Sequence, residues 1–87
     1  MRIVSLVPSV TGTLAALGAG DRLVGVTDYC THGAPHGATR VGGTKNPSLD
    51  AVVALAPDVV VANAEENREA DLAALRAAGL DVRVTYP

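Results

Sequence analysis

Apolar residues in this chain fall into short runs separated by stretches with a helical period. Ile3 to Val7 is a nearly continuous apolar run that ends at Pro8, the pattern of a parallel strand covered on both faces. Ser9 stands where it can cap a following helix, whose apolar residues Val10, Leu14 and Leu17 recur at i, i+4 and i+7 before Gly18 and Gly20 stop it. Leu23 to Val26 predicts a second, weaker strand. Residues 27–45 are rich in Gly and Pro and show neither period, so they read as one long loop, and loops of that length in a compact domain tend to carry function. Asn46-Pro47 predicts a cap and first residue for a second helix, with Leu49, Val52, Val53 and Ala56 on its apolar face as far as Pro57. Asp58 to Ala62 is a third strand, again apolar on both faces. Asn63 and Glu66 have the spacing of a capping box, and a third helix follows to Ala78 with Leu72 and Leu75 inward and Gly79 as its stop. Asp81 to Tyr86 alternates polar and apolar, as a half-exposed edge strand does.

Strands alternating with helices imply right-handed crossovers and a parallel sheet. The first and third strands are the most apolar and belong at the centre, which gives an α/β, Rossmann-like lobe: a four-stranded parallel sheet of order 2-1-3-4 with helices on both faces. The chain leaves the first strand toward one side and returns on the other, so the switch point lies between the first and third strands. In open α/β sheets ligands bind at that point, outside the carboxyl ends of the strands. The residues on that rim are Pro8 and Ser9, then Asp28, Tyr29 and Cys30, then Asn63, and Tyr86.

Composition limits what such a lobe can be. Its 87 residues allow one small domain or part of a larger one, which excludes a two-domain enzyme. The core must be built from 15 Ala, 13 Val and 9 Leu, with two Tyr and neither Phe nor Trp, so it buries little area per residue. A missing partner lobe is therefore expected. A formal charge of −2 without a clustered basic face argues against nucleic acid as a partner. One cysteine, Cys30, cannot form an internal disulfide. The longest apolar stretch, Ala51 to Ala62, is interrupted by Pro57-Asp58 and is shorter than the ~20 residues of a membrane span. Arg2 and the strand-like Ile3 leave no room for a secretory signal, so the chain as written is expected in the cytoplasm, or in the periplasm or at the cell surface if an export signal has been removed.

Few residues carry recognisable chemistry. Gly18-Ala-Gly20 follows a helix instead of a strand, and in Gly42-Gly-Thr-Lys45 the lysine precedes Asn46 where a phosphate loop needs Ser or Thr, so no nucleotide site is expected. Cys30, His32 and His36 offer three soft ligands within one loop and could begin an open metal site, although two histidines in a glycine-rich loop are otherwise solvated side chains. Ser9 lacks the flanking glycines of a nucleophile elbow and reads as a helix cap. Tyr29, one of two aromatics, either packs against a ligand or shields the end of the sheet. Glu65, Glu66, Glu69 and Asp71 crowd the start of the third helix, where its dipole stabilises them. At 100° per residue Glu69 points ~90° away from Leu72 and Leu75, toward any external basic partner.

Taken together, several segments resemble the substrate-binding proteins of ABC importers whose two lobes are joined by a long rigid helix, especially their cobalamin-type branch. The segments are Arg2 to Thr11, Gly25 to Cys30, Val41 to Pro47, Leu55 to Ala62 and Glu65 to Asn67, in order and with similar spacing. The resemblance implies a non-catalytic amino-terminal lobe, residues 1–87, with a bridging helix and a second lobe to follow and a ligand held between the two. It implies Pro8, Ser9, Tyr29, Cys30 and Asn63 as the pocket-facing set and Glu69 as the residue that docks onto an arginine of the importer's membrane subunit. The implied cargo is cobalamin, with a ferric siderophore or haem as alternatives of the same fold, and a small metal-binding enzyme domain using Cys30, His32 and His36 as the alternative from another class. Gly12 departs from the resemblance, standing where that family commonly has Glu.

Overall fold

The structure is a computed structural model and describes residues 1–18, 20–27, 37–43 and 47–85. Its elements follow in the order β1 (Ile3–Ser5), α1 (Pro8–Ala16), β2 (Leu23–Val26), β3 (Thr39–Arg40), α2 (Leu49–Ala54), β4 (Val59–Asn63), α3 (Glu69–Ala77) and β5 (Val82–Thr85), with a single 3-10 turn, Gly20–Arg22, before β2. All strand pairings are parallel and the sheet order is β3-β2-β1-β4-β5. The four expected strands stand in the expected order. The fifth, β3, is a two-residue edge strand that pairs Thr39 with Gly25 and Arg40 with Val26 inside the stretch read as loop.

Alternation along the strands divides the core in two. Val4, Val60, Ala62 and Val82 point to one face, where they pack in one cluster with Val52 of α2 and Leu72 and Leu75 of α3. Ile3, Leu23 and Val26 form a smaller cluster on the other face, joined by Leu14 of α1 and by Val59 and Val61. This second face corrects one expectation. β4 is fully buried on one side only, because α1 sits over β1 and β2 and leaves Val59 and Val61 partly open. At the crossing of α2 over the sheet Gly25 is required by space: a Cβ there would lie 2.7 Å from Leu55 Cδ1 and 3.1 Å from Val4 Cγ2.

Helix limits differ from the sequence pattern for local reasons. α1 ends at Ala16, and Gly18 turns the chain with φ of 81°, so Leu17 falls off the apolar face and is 76% exposed. In α2 the cap is Ser48, whose hydroxyl accepts from Ala51 N at 3.3 Å, while Pro47 forms an antiparallel bridge with Gly42. The helix stops early because the Arg2 guanidinium takes the Leu55 carbonyl through Nε (3.0 Å) and Nη2 (2.6 Å), and Ala56 follows with φ of 49°. Val53 is exposed, one residue around the helix from buried Val52. α3 ends as expected: Gly79 has φ of 91°, its N–H donates to Arg76 O, and Leu80 N donates to Leu75 O, which is the Schellman arrangement. On β5 the Arg83 guanidinium grips Asp81 at 2.8 and 3.0 Å and holds that carboxyl below its ordinary range, placing a charged pair on the sheet edge.

Candidate functional site

Parallel strands bring their carboxyl ends to one rim, and two of the turns on that rim belong to the central pair β1 and β4. The first turn is held by hydroxyls. Ser5 lies in β1 with no exposure; its Oγ donates to Val7 O at 3.0 Å and accepts from Thr11 Oγ1 at 2.9 Å. Val7 O also accepts from the amides of Val10 and Thr11, which starts α1 at Pro8. Proline at that position costs nothing, because the first N–H groups of a helix have no intrahelical partner. Ser9 is therefore the second residue of α1, not its cap, and stands exposed on the rim beside half-buried Pro8.

The second turn is organised by amides. Asn63 ends β4, and its Oδ1 accepts from the backbone of Glu65 (2.8 Å) and Glu66 (3.3 Å). Its Nδ2 donates to Thr85 Oγ1 at 3.2 Å, and Thr85 Oγ1 donates in turn to Ala62 O at 3.0 Å. Asn63 thus closes a side-chain turn and ties β4 to β5, and the helix predicted to begin there begins at Glu69 instead. Glu65 and Glu66 lie in that turn, outside the helix. Asn67, unremarked in the sequence beyond its place in the resemblance, is 5% exposed and makes two bonds across the rim: Oδ1 accepts from Asn63 N at 2.8 Å, and Nδ2 donates to Leu6 O at 3.1 Å.

The rim turn after β2 begins at buried Thr27, whose carbonyl accepts from Arg40 Nη1 at 2.9 Å. Asp28, Tyr29, Cys30, His32, His36 and Tyr86 lie outside the described residues. Of the residues expected to face a pocket, Pro8, Ser9 and Asn63 stand at the carboxyl ends of β1 and β4, on the same rim. Glu69 is the first residue of α3 and is exposed, and Asp71 pairs with Arg68 at 3.3 Å. Among the described residues no three His, Cys, Asp or Glu side chains gather into a metal site, and no helix is long and apolar enough to cross a membrane. A hollow of about 320 Å³ lined by Arg2, Asp21, Leu23, Thr39 and Leu55 lies at the opposite edge, where the strands begin, away from the switch point.

Comparisons with known proteins agree with this arrangement. A family model described as periplasmic binding protein matches residues 3–82. An uncharacterised ABC transporter substrate-binding lipoprotein of Bacillus subtilis is 40% identical over 62 residues, covering 71% of this chain and 20% of the relative. The vitamin B12-binding protein of Vibrio cholerae is 33% identical over 84 residues, covering 93% of this chain and 30% of the relative. Among solved structures, a periplasmic heme-binding protein from Roseiflexus in apo form superposes with a TM-score of 0.88 at 30% identity over 98% of this chain and 33% of its own. The chain thus spans a third or less of the length of these relatives.

Proposed function

The chain belongs to the periplasmic binding protein family, and from that premise we propose that residues 1–87 are the amino-terminal lobe of a two-lobe substrate-binding protein serving an ABC importer, one that carries cobalamin or a related metal chelate without chemical turnover. The observation that carries the reading is the convergence of the β1–α1 and β4–α3 turns at the switch point, with Pro8, Ser9 and Asn63 on one rim. A bulky chelate needs apolar contact area and a few polar groups, and a rim of proline, serine and turn backbone offers both. Tyr29 and Cys30, which follow β2 in the sequence, are proposed to complete the ligand face, and a second lobe to supply the opposing one. A location outside the cytoplasm, as for the lipoprotein and periplasmic relatives, goes with this role.

Titration of the two-lobe protein with cyanocobalamin, hemin and a ferric siderophore, followed by visible absorbance, tests the proposal. One of the three is expected to bind saturably and to be recovered chemically unchanged after denaturation. Absence of binding to all three, or recovery of an altered ligand, overturns it.

Glu69 is proposed as the contact to an arginine of the membrane subunit, because it carries an exposed charge at the head of α3. Reversing the charge with Glu69→Arg is expected to reduce uptake at least tenfold while leaving the dissociation constant of the free binding protein within twofold, since rim charges act on association and register more than on distant sites. Equal loss of both would place Glu69 in ligand binding instead.

A further inference from the structure

The hydrogen-bond ladder between the two central strands is interrupted at one rung, and a side chain fills the gap. In register, Ile3 faces Val59, Val4 faces Val60 and Ser5 faces Val61. Val59 N donates to Arg2 O at the start of the ladder, and Leu6 N donates to Val61 O at 2.9 Å near its end. The parallel pattern then calls for Asn63 N to donate to Leu6 O. It does not: Asn63 N donates to Asn67 Oδ1 at 2.8 Å, and Asn67 Nδ2 donates to Leu6 O at 3.1 Å.

We infer that the Asn67 carboxamide is an inserted rung, a wedge one amide thick that holds β1 and β4 apart at the switch point and so fixes the opening on which the ligand rests. The side chain is almost wholly buried, and Leu6 carries no exposure at all, so neither partner has water to fall back on. A carboxamide suits the place because it presents an acceptor to Asn63 N and a donor to Leu6 O at the same time. A carboxylate would set an oxygen against Leu6 O, and an aliphatic side chain could not bridge the two backbone groups, which pair only if the strands close on each other. The wedge also sets where Ser9 and the Asn63 turn stand relative to each other, since they follow directly from the two strands it separates. Asn67 is thereby a positioning residue: it reaches the ligand only through the spacing of the rim. This inference rests on the ligand reading above for its functional meaning, but the inserted rung stands on the ladder geometry alone.

The test is the substitution Asn67→Ala, read by through-hydrogen-bond NMR couplings in this chain and by titration of the two-lobe protein with whichever of cyanocobalamin, hemin and a ferric siderophore the unmodified form binds. In the unmodified protein a coupling is expected from Asn67 Nδ2 to the Leu6 carbonyl carbon, with none from Asn63 N. The variant is expected to close the ladder by one rung, giving a direct Asn63-to-Leu6 coupling, and to bind at least about tenfold more weakly, the scale of one misplaced buried polar contact. A direct Asn63-to-Leu6 coupling already present in the unmodified protein overturns the inference, as does binding within twofold of the unmodified protein once the ladder has closed. Should the variant not fold, the couplings of the unmodified protein decide. Failure of the unmodified protein to bind any of the three chelates overturns the ligand reading and leaves the rung to be judged by those couplings.

Discussion

Residues 1–87 alone are expected to bind the cargo about a thousandfold more weakly than the two-lobe protein. A pocket holds a ligand of this size by burying most of its surface, and the rim formed by Pro8, Ser9 and the Asn63 turn faces it from one side only. Halving the net free energy of a binder with a Kd of ~1 μM leaves one of ~1 mM. The loss of overall translational freedom does not halve with the contacts, so the true penalty is at least this large. Isothermal titration of the 87-residue chain and of the two-lobe protein with the same chelate measures the ratio. A ratio below ten would mean that this lobe contains a complete site and that the shared-cleft picture is wrong.

Leu72→Ala is expected to cost about 3 kcal/mol of folding stability, the middle of the range for emptying a fully buried leucine site. Leu72 is 1% exposed and belongs to the cluster that also holds Leu75, Val52, Val60 and Val82. Its neighbours are small and short, so few of them can swing into the space it leaves. A domain of this size has a total stability of only ~5–10 kcal/mol, and one such cavity removes a large share of it. Urea unfolding followed by circular dichroism gives the number. Leu17→Ala serves as the control: Leu17 is 76% exposed, and its truncation should change stability by less than ~0.5 kcal/mol. Equal effects at the two positions would place α3 away from the sheet.

The sequence revealed the large elements because each has a period or an apolar run long enough to recognise. β1, β2, β4 and β5, their order and the helix stop at Gly79 were all readable in this way. β3 was not, since two residues with polar side chains in a glycine-rich stretch have no pattern of their own and become a strand only by pairing with Gly25 and Val26. The start of α3 was misplaced for a chemical reason. An asparagine followed three residues on by glutamate serves equally to close a side-chain turn, and Asn63 does that, bonding to the Glu65 and Glu66 amides and to Thr85 across the sheet. Ser9 and Asn46 read as helix caps in the sequence, whereas α1 already begins at Pro8 and α2 is capped by Ser48, because a cap is decided by which residue first leaves the helical conformation.

The rim itself was legible from topology, whereas its inner support was not. Asn67 sits in a polar run, Glu-Glu-Asn-Arg-Glu, and nothing local separates it from a solvated surface residue. Its role depends on a carbonyl 61 positions earlier in the chain. Such a residue becomes visible only once two distant strands have been laid side by side.

The same separation governs how the lobe is made. β1 leaves the ribosome well before one of its two neighbours, β4, which begins at Val59. Until then β1 can zip only to β2, and one edge of an apolar strand waits unsatisfied while everything between Ser5 and Val59 is synthesised. Closing so wide a loop is slow compared with helix or hairpin formation. A nascent chain halted before β4 would thus expose a sticky, half-built sheet, so early recognition by a holding chaperone follows from the strand order alone.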